Sequence, residues 1–152
     1  MSEVELLEKL ISGVGIFIGV IFILFLAVLI PVIIAQWKLF KKAGKNGWEA
    51  IVPVYNTWVL IEISGLHWWY FLVSIGLSLL SVMIPSLSFV FAIASYYLNF
   101  IVYYNIAKKT KQNEILYGIL GTFVAFVAVL ILGFNKNITY DSSIEVSPNG
   151  VF

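Results

Sequence analysis

Charge is absent from long stretches of this chain. Leu10 to Trp37 is a run of 28 residues without a charged side chain, and Ile63 to Ala107 is one of 45. A third apolar run, about Ile115 to Leu132, follows Lys108, Lys109 and Lys111. Such runs predict helices that cross a bilayer, because lipid gives the backbone no hydrogen-bond partner and a helix satisfies its own. The first predicts a span over about 13–35, which at a rise of about 1.5 Å per residue covers a hydrocarbon core of about 30 Å. Pro31 predicts a kink in its last turns. Pro85 divides the second run into spans over about 68–84 and 87–107, and the third run gives a fourth over about 115–132.

The segment 48–65 fits none of these. Glu49, Pro53, Asn56 and Glu62 interrupt its apolar residues, and at 100° per residue they share no single wet face. A carboxylate at the bilayer centre costs about 2.5–3.5 kcal/mol on the insertion scale. The segment is therefore expected to be interfacial or re-entrant, broken near Val52-Pro53, and not to cross. The fold class is an all-α integral membrane protein. Residues 1–133 form one transmembrane helical domain, and 134–152 form a polar extracytoplasmic tail, extended or disordered.

Small and polar residues repeat at helical spacing inside the spans. Gly15 and Gly19 make a GxxxG pair, which lets another helix approach closely. Ser74, Ser78 and Ser81 lie on one face of the second span. Ser88, Ala92, Ser95, Asn99 and Tyr103 lie on one face of the third. Folding the hairpin at Pro85 sets Ser81 near Ser88, Ser78 near Ala92, Ser74 near Ser95 and His67 near Tyr103. The stripes predict a helix–helix seam; a polar path for a solute is the other reading. Gly118 and Gly121 begin a further small-residue stripe in the fourth span.

Charge then fixes orientation. All nine basic residues are lysines, and net charge is +1, so no global field favours nucleic acid. Lys38, Lys41, Lys42 and Lys45 crowd one loop beside Trp37 and Trp48, where aromatic rings sit at headgroup level and ammonium groups meet anionic lipid. With four spans, loops 38–45 and 108–111 share a side and hold seven lysines, leaving Lys9 and Lys136 opposite. The positive-inside rule puts both loops in the cytoplasm and both termini outside, in a multipass protein of the cell membrane. The acidic N-terminus lacks the basic start of a signal peptide. Without cysteine, and with His67 the only histidine, thiol chemistry and multi-His metal sites are absent, and no cofactor is expected.

Trp37, Phe40-Lys-Lys-Ala-Gly44, Gly47-Trp48 and Val52-Pro53-Val-Tyr55-Asn56, then Gly65, Trp68-Trp69 and Leu132-Gly-Phe134 with Tyr140, together resemble a bacterial family of small multipass membrane proteins with a domain of unknown function. Lys109-Thr-Lys111 departs from the Phe-Gly-Lys often found there. The resemblance covers most of 37–140 and implies no established mechanism. Some family members are joined to signal peptidase I, an enzyme class needing a serine nucleophile and a lysine base in an outside domain. This chain has no Ser-Met-x-Pro motif and outside segments too short for that domain, so no peptidase activity is expected.

Three functions follow. The first is a non-enzymatic interaction or accessory protein of the membrane, in secretion or envelope upkeep, whose partners are anionic lipid and another membrane protein or a second copy. The second is a small oligomeric transporter or channel using the serine and asparagine stripes. The third is a membrane enzyme using Glu62 and His67, which no charged residue within a span supports. Asn56, after the Pro53 break, is expected to lock that segment by bonding freed carbonyls of a neighbouring helix.

Overall fold

The computed structural model describes residues 2–148; Met1 and the last four residues of the expected tail lie outside it. Among the described residues there are six α-helices and no strand. They are α1 (Glu3–Lys42), α2 (Tyr55–Ser64), α3 (Trp69–Met83), α4 (Ser88–Lys109), α5 (Glu114–Phe123) and α6 (Ala125–Phe134). Short 3-10 turns lie at Gly47–Ala50 and Pro85–Leu87. Two helical stretches, Glu3–Lys42 and Pro85–Lys109, are long and apolar enough to cross a membrane. The chain divides into two units, Met1–Val32 and Ile33–Phe152.

The first unit is helical from Glu3 onward. It starts earlier than the apolar run because Ser2 and Glu5 close a capping box: Ser2 Oγ accepts from the Glu5 N–H, and the Glu5 carboxylate accepts from the Ser2 N–H at 3.0 Å. Glu3 and Glu5 also suit the positive end of the helix dipole. Pro31 sits inside α1 without ending it. Large apolar side chains are exposed around the whole circumference, Ile16, Phe17 and Ile18 in succession. A side chain added at Gly15 or Gly19 would meet nothing within 4 Å, so the GxxxG face is bare.

In the second unit α4 is the hub, packed against α2, α3 and α5. Its last half is buried through Ile101, Val102, Ile106 and Ala107, while Phe89, Val90 and Ile93 in its first half are exposed. The same core takes in Leu39 and Phe40 of α1, Val59 and Ile63 of α2, and Ala128, Val129 and Leu132 of α6. The turn at Pro85 falls where the sequence places it.

The single helix expected over 115–132 is instead two ten-residue helices broken at Val124, whose backbone (φ −141°, ψ 53°) belongs to neither. Each is about 15 Å long, half of a bilayer core. The chain then returns to where it left: the Asp141 N–H donates to the Lys109 carbonyl at 2.8 Å. The reason for the break is packing. Gly118 and Gly121 let the rings of Phe100 and Tyr103 lie directly on α5, and α6 turns back to bury Ala128 and Leu132 in the core.

The described part of the tail is docked rather than loose. Ile138 is buried, Tyr140 donates to the Ile63 carbonyl at 2.7 Å, and the His67 N–H donates to the Pro148 carbonyl at 3.2 Å. Segment 48–65 is broken where expected. The Tyr55 N–H donates to the Pro53 carbonyl at 2.8 Å across Val54, which takes φ 69°, ψ −48°. This is the strained, positive-φ form of the γ-turn, hard on a β-branched side chain. Val54→Gly should therefore raise stability by about 1–3 kcal/mol, read as a higher thermal midpoint.

Candidate functional site

The motif loop is one folded unit. The Trp37 ring lies flat on Gly47, leaving no room for a Cβ there. Gly44 makes the preceding turn at φ 77°. Trp48 stacks on Tyr55 with centroids 6.1 Å apart and an 11° interplanar angle. Asn46 donates its side-chain amide to Glu49 Oε1 at 3.1 Å. The Asn56 Oδ1 accepts from Thr57 Oγ1 at 3.2 Å, a neighbour in the chain rather than the neighbouring helix expected for it. Sequence reasoning did not single out the burial of Glu49: its Oε2 is buried without a partner among the described residues, as is Asn105 Nδ2.

The lysines expected to reach for lipid are largely engaged by the protein itself. Lys42 Nζ donates to the carbonyls of Leu132 at 2.6 Å and Asn135 at 2.7 Å, capping the C-terminus of α6, where a cation is favoured. Lys45 pairs with Glu62. Lys38 lies over the Phe134 ring at 4.3 Å and Lys41 near the Trp37 ring at 5.7 Å. Lys111 pairs with Asp141 at 3.0 Å. Among the described residues no ion pair joins Glu62 to His67; Glu62 pairs with Lys45 and closes a loop. Lys42→Met keeps the apolar stem and removes the cap; it should cost about 1.5–3 kcal/mol, seen as a lower thermal midpoint.

These contacts gather the chain onto one face. Lys45–Glu62 ties the two ends of 45–62 together, and Gly65, at φ 80°, lies against the Lys109 side chain and Val146 of the tail. Burial, then the charge of Glu62, pushes the Tyr140 hydroxyl up to about 12. The hydroxyl of Ser143, then Lys111, holds the Asp141 carboxyl at about 2, so this ion pair persists through ordinary pH.

The serine stripes line a cavity of about 470 Å³ between α2, α3 and α4. Ser74, Ser78, Ser95 and Asn99 all face it, with Tyr70 and Tyr103. The stripes share this space only in part, since Ser81, Ser88 and Ala92 do not line it, and the hydroxyls serve their own helices. Ser74 donates to the Phe71 carbonyl at 2.8 Å, Ser78 to Ser74 at 2.9 Å, Ser81 to Leu77 at 2.8 Å and Ser95 to Phe91 at 2.9 Å. Asn99 Nδ2 donates to the Ser95 carbonyl at 3.0 Å. Tyr103 ends the stripe that the spacing picks out, and it is the buried member.

The fold and cleft define an all-helical protein with two helices able to cross a membrane. A family model described as a family of unknown function (DUF5684) matches residues 48–143, and the chain belongs to that family. The match runs from Trp48 past Asp141, so it takes in the whole cleft and the docked part of the tail that meets Lys109 and Lys111. No curated protein and no solved structure matches the chain.

Proposed function

We propose that this is a non-enzymatic, multipass membrane protein that works by holding other membrane components, as an accessory or interaction protein. The observation that carries the reading is the first unit: a helix apolar and exposed on every side, which water would not tolerate but lipid would. α4 and the segment from Gly65, beside Lys109, through α3 to Ile84 supply two further crossings. α5 and α6, each half a bilayer long, form a hairpin that enters and leaves on the lysine face. This three-crossing reading departs from four spans with both termini outside. It puts the tail and Lys136 with the lysine loops, so that eight of the nine lysines share the cytoplasmic side and only Lys9 is opposite.

Extraction tests the reading directly. The chain should stay in membranes washed with alkaline carbonate and leave only with detergent; release by carbonate would end the proposal. A second reading, a small transporter or channel, is favoured by the convergence of Ser74, Ser78, Ser95 and Asn99 on one cavity. It requires solute flux in proteoliposomes that Asn99→Leu abolishes.

A further inference from the structure

We propose that the cleft between α2, α3 and α4 binds a neutral lipid carrying one apolar chain and a single hydroxyl head, a long-chain alcohol in chemical class. The proposal rests on the bilayer reading above. Most of the wall is apolar, from Leu60 and Ile61 of α2, Phe71 and Ile75 of α3, and Leu98 and Val102 of α4. No charged side chain lines it, so an ionised headgroup would enter without a counter-charge. The ligand must therefore be mostly hydrocarbon and uncharged.

Its polar end is set by what the cleft leaves unspent. The hydroxyl hydrogens of Ser74, Ser78 and Ser95 go to carbonyls of their own helices, and the Asn99 amide donates to Ser95. What these groups retain is acceptor capacity. Tyr103 is different. It is only 4% exposed, the base of its ring rests on Gly121, and it lines the cleft without a hydrogen bond from its side chain among the described residues. A tyrosine hydroxyl facing an apolar cleft without a partner keeps a donor to offer. A ligand hydroxyl answers both needs, donating to a serine or Asn99 oxygen and accepting from Tyr103. Its lining is apolar and exposed at Val54 and Leu79, so in a bilayer the cleft opens sideways to the acyl chains.

The test uses the full chain in phosphatidylcholine nanodiscs and three photoreactive, alkyne-tagged probes of equal length: a hexadecanol, the matching fatty acid and the matching hydrocarbon. The alcohol should label α3 and α4 saturably, and unlabelled hexadecanol should compete. Acid and hydrocarbon should label at least about fivefold less, the scale of one lost hydrogen bond. Tyr103→Phe keeps the ring and should lower alcohol labelling about fivefold to tenfold while leaving hydrocarbon labelling unchanged. Ser74→Leu, which fills the space, should abolish all three. Equal labelling of the wild-type chain by alcohol and hydrocarbon overturns the proposal, and this comparison stands even if a variant misfolds. So does stronger labelling by the acid, or a well-folded Tyr103→Phe that labels like wild type. A chain retained after carbonate washing that shows no alcohol preference sinks only the ligand, whereas release by carbonate sinks the bilayer reading itself.

Discussion

Gly133→Val should detach α6 from the end of α1 and leave a chain that is hard to keep monodisperse in detergent. A Cβ at position 133 would fall on the Cα, carbonyl carbon and oxygen of Ala35. All three are backbone atoms inside a helix, so no rotamer change makes room. Overpacking costs about 1–3 kcal/mol where neighbours can shift, and here they cannot without moving a helix. Moving α6 also breaks the hydrogen bonds from Lys42 to Leu132 and Asn135, worth together at least about 1.5–3 kcal/mol for a charged donor. The sum is about 3 kcal/mol or more, which for a chain of this size lowers the thermal midpoint by about 6–12 °C. Gly76 supplies the control. It lies within α3, and an added Cβ there meets nothing within 4 Å, so Gly76→Val should shift the midpoint little. Similar midpoints for the two variants would show that the close approach of α6 to α1 contributes nothing.

Much of this arrangement could be read before any coordinates, for reasons that differ by element. The long uncharged runs announce α1 and α4 because the hydrophobic pattern is the dominant local signal. Pro85 marks the α3–α4 turn because a missing N–H is a property of one residue. Pro53 likewise marks the break that Val54 completes. Ser74, Ser78, Ser95 and Asn99 could be placed on facing stripes because helical spacing alone puts each set on one face, but the spacing predicts a helix–helix seam and not the cleft these residues line. Val124 could not be seen. The stretch Gly121-Thr-Phe-Val124-Ala-Phe is uncharged and apolar but for Thr122, and a buried hairpin and a crossing helix want the same residues. What separates them is the fit of Phe100 and Tyr103 against Gly118 and Gly121, a tertiary matter. The protein partners of the lysines were hidden for a related reason. A cluster of ammonium groups looks the same in sequence whether it meets lipid phosphate or, like Lys42 and Lys45, a helix end and a carboxylate 90 and 17 residues away. The tail carried a weak signal, Ile138 and Tyr140 alternating with polar neighbours, too short to outweigh its polarity.

The sharpest expected outcome concerns which side of the bilayer holds the tail. The chain has no cysteine, so single substitutions report cleanly. In intact cells, a membrane-impermeant maleimide should label Ser2→Cys and should not label Lys45→Cys or Ser142→Cys until the membrane is opened. Four spans would expose Ser142→Cys from outside along with Ser2→Cys, because an even number of crossings returns both termini to one side. Three crossings and a hairpin would separate them. The contacts that favour separation are spread along the chain: Asp141 bonds Lys109 through its N–H and pairs with Lys111, Tyr140 reaches Ile63, and Asn135 accepts from Lys42. For the tail to lie outside, every one of these would have to be absent in the membrane, and α5 and α6 would have to straighten through Val124 into one helix that withdraws Ala128 and Leu132 from the core. The two arrangements thus differ by an all-or-none change in labelling at one residue. Strong labelling of Ser142→Cys in unopened cells would refute the hairpin and reinstate a fourth crossing.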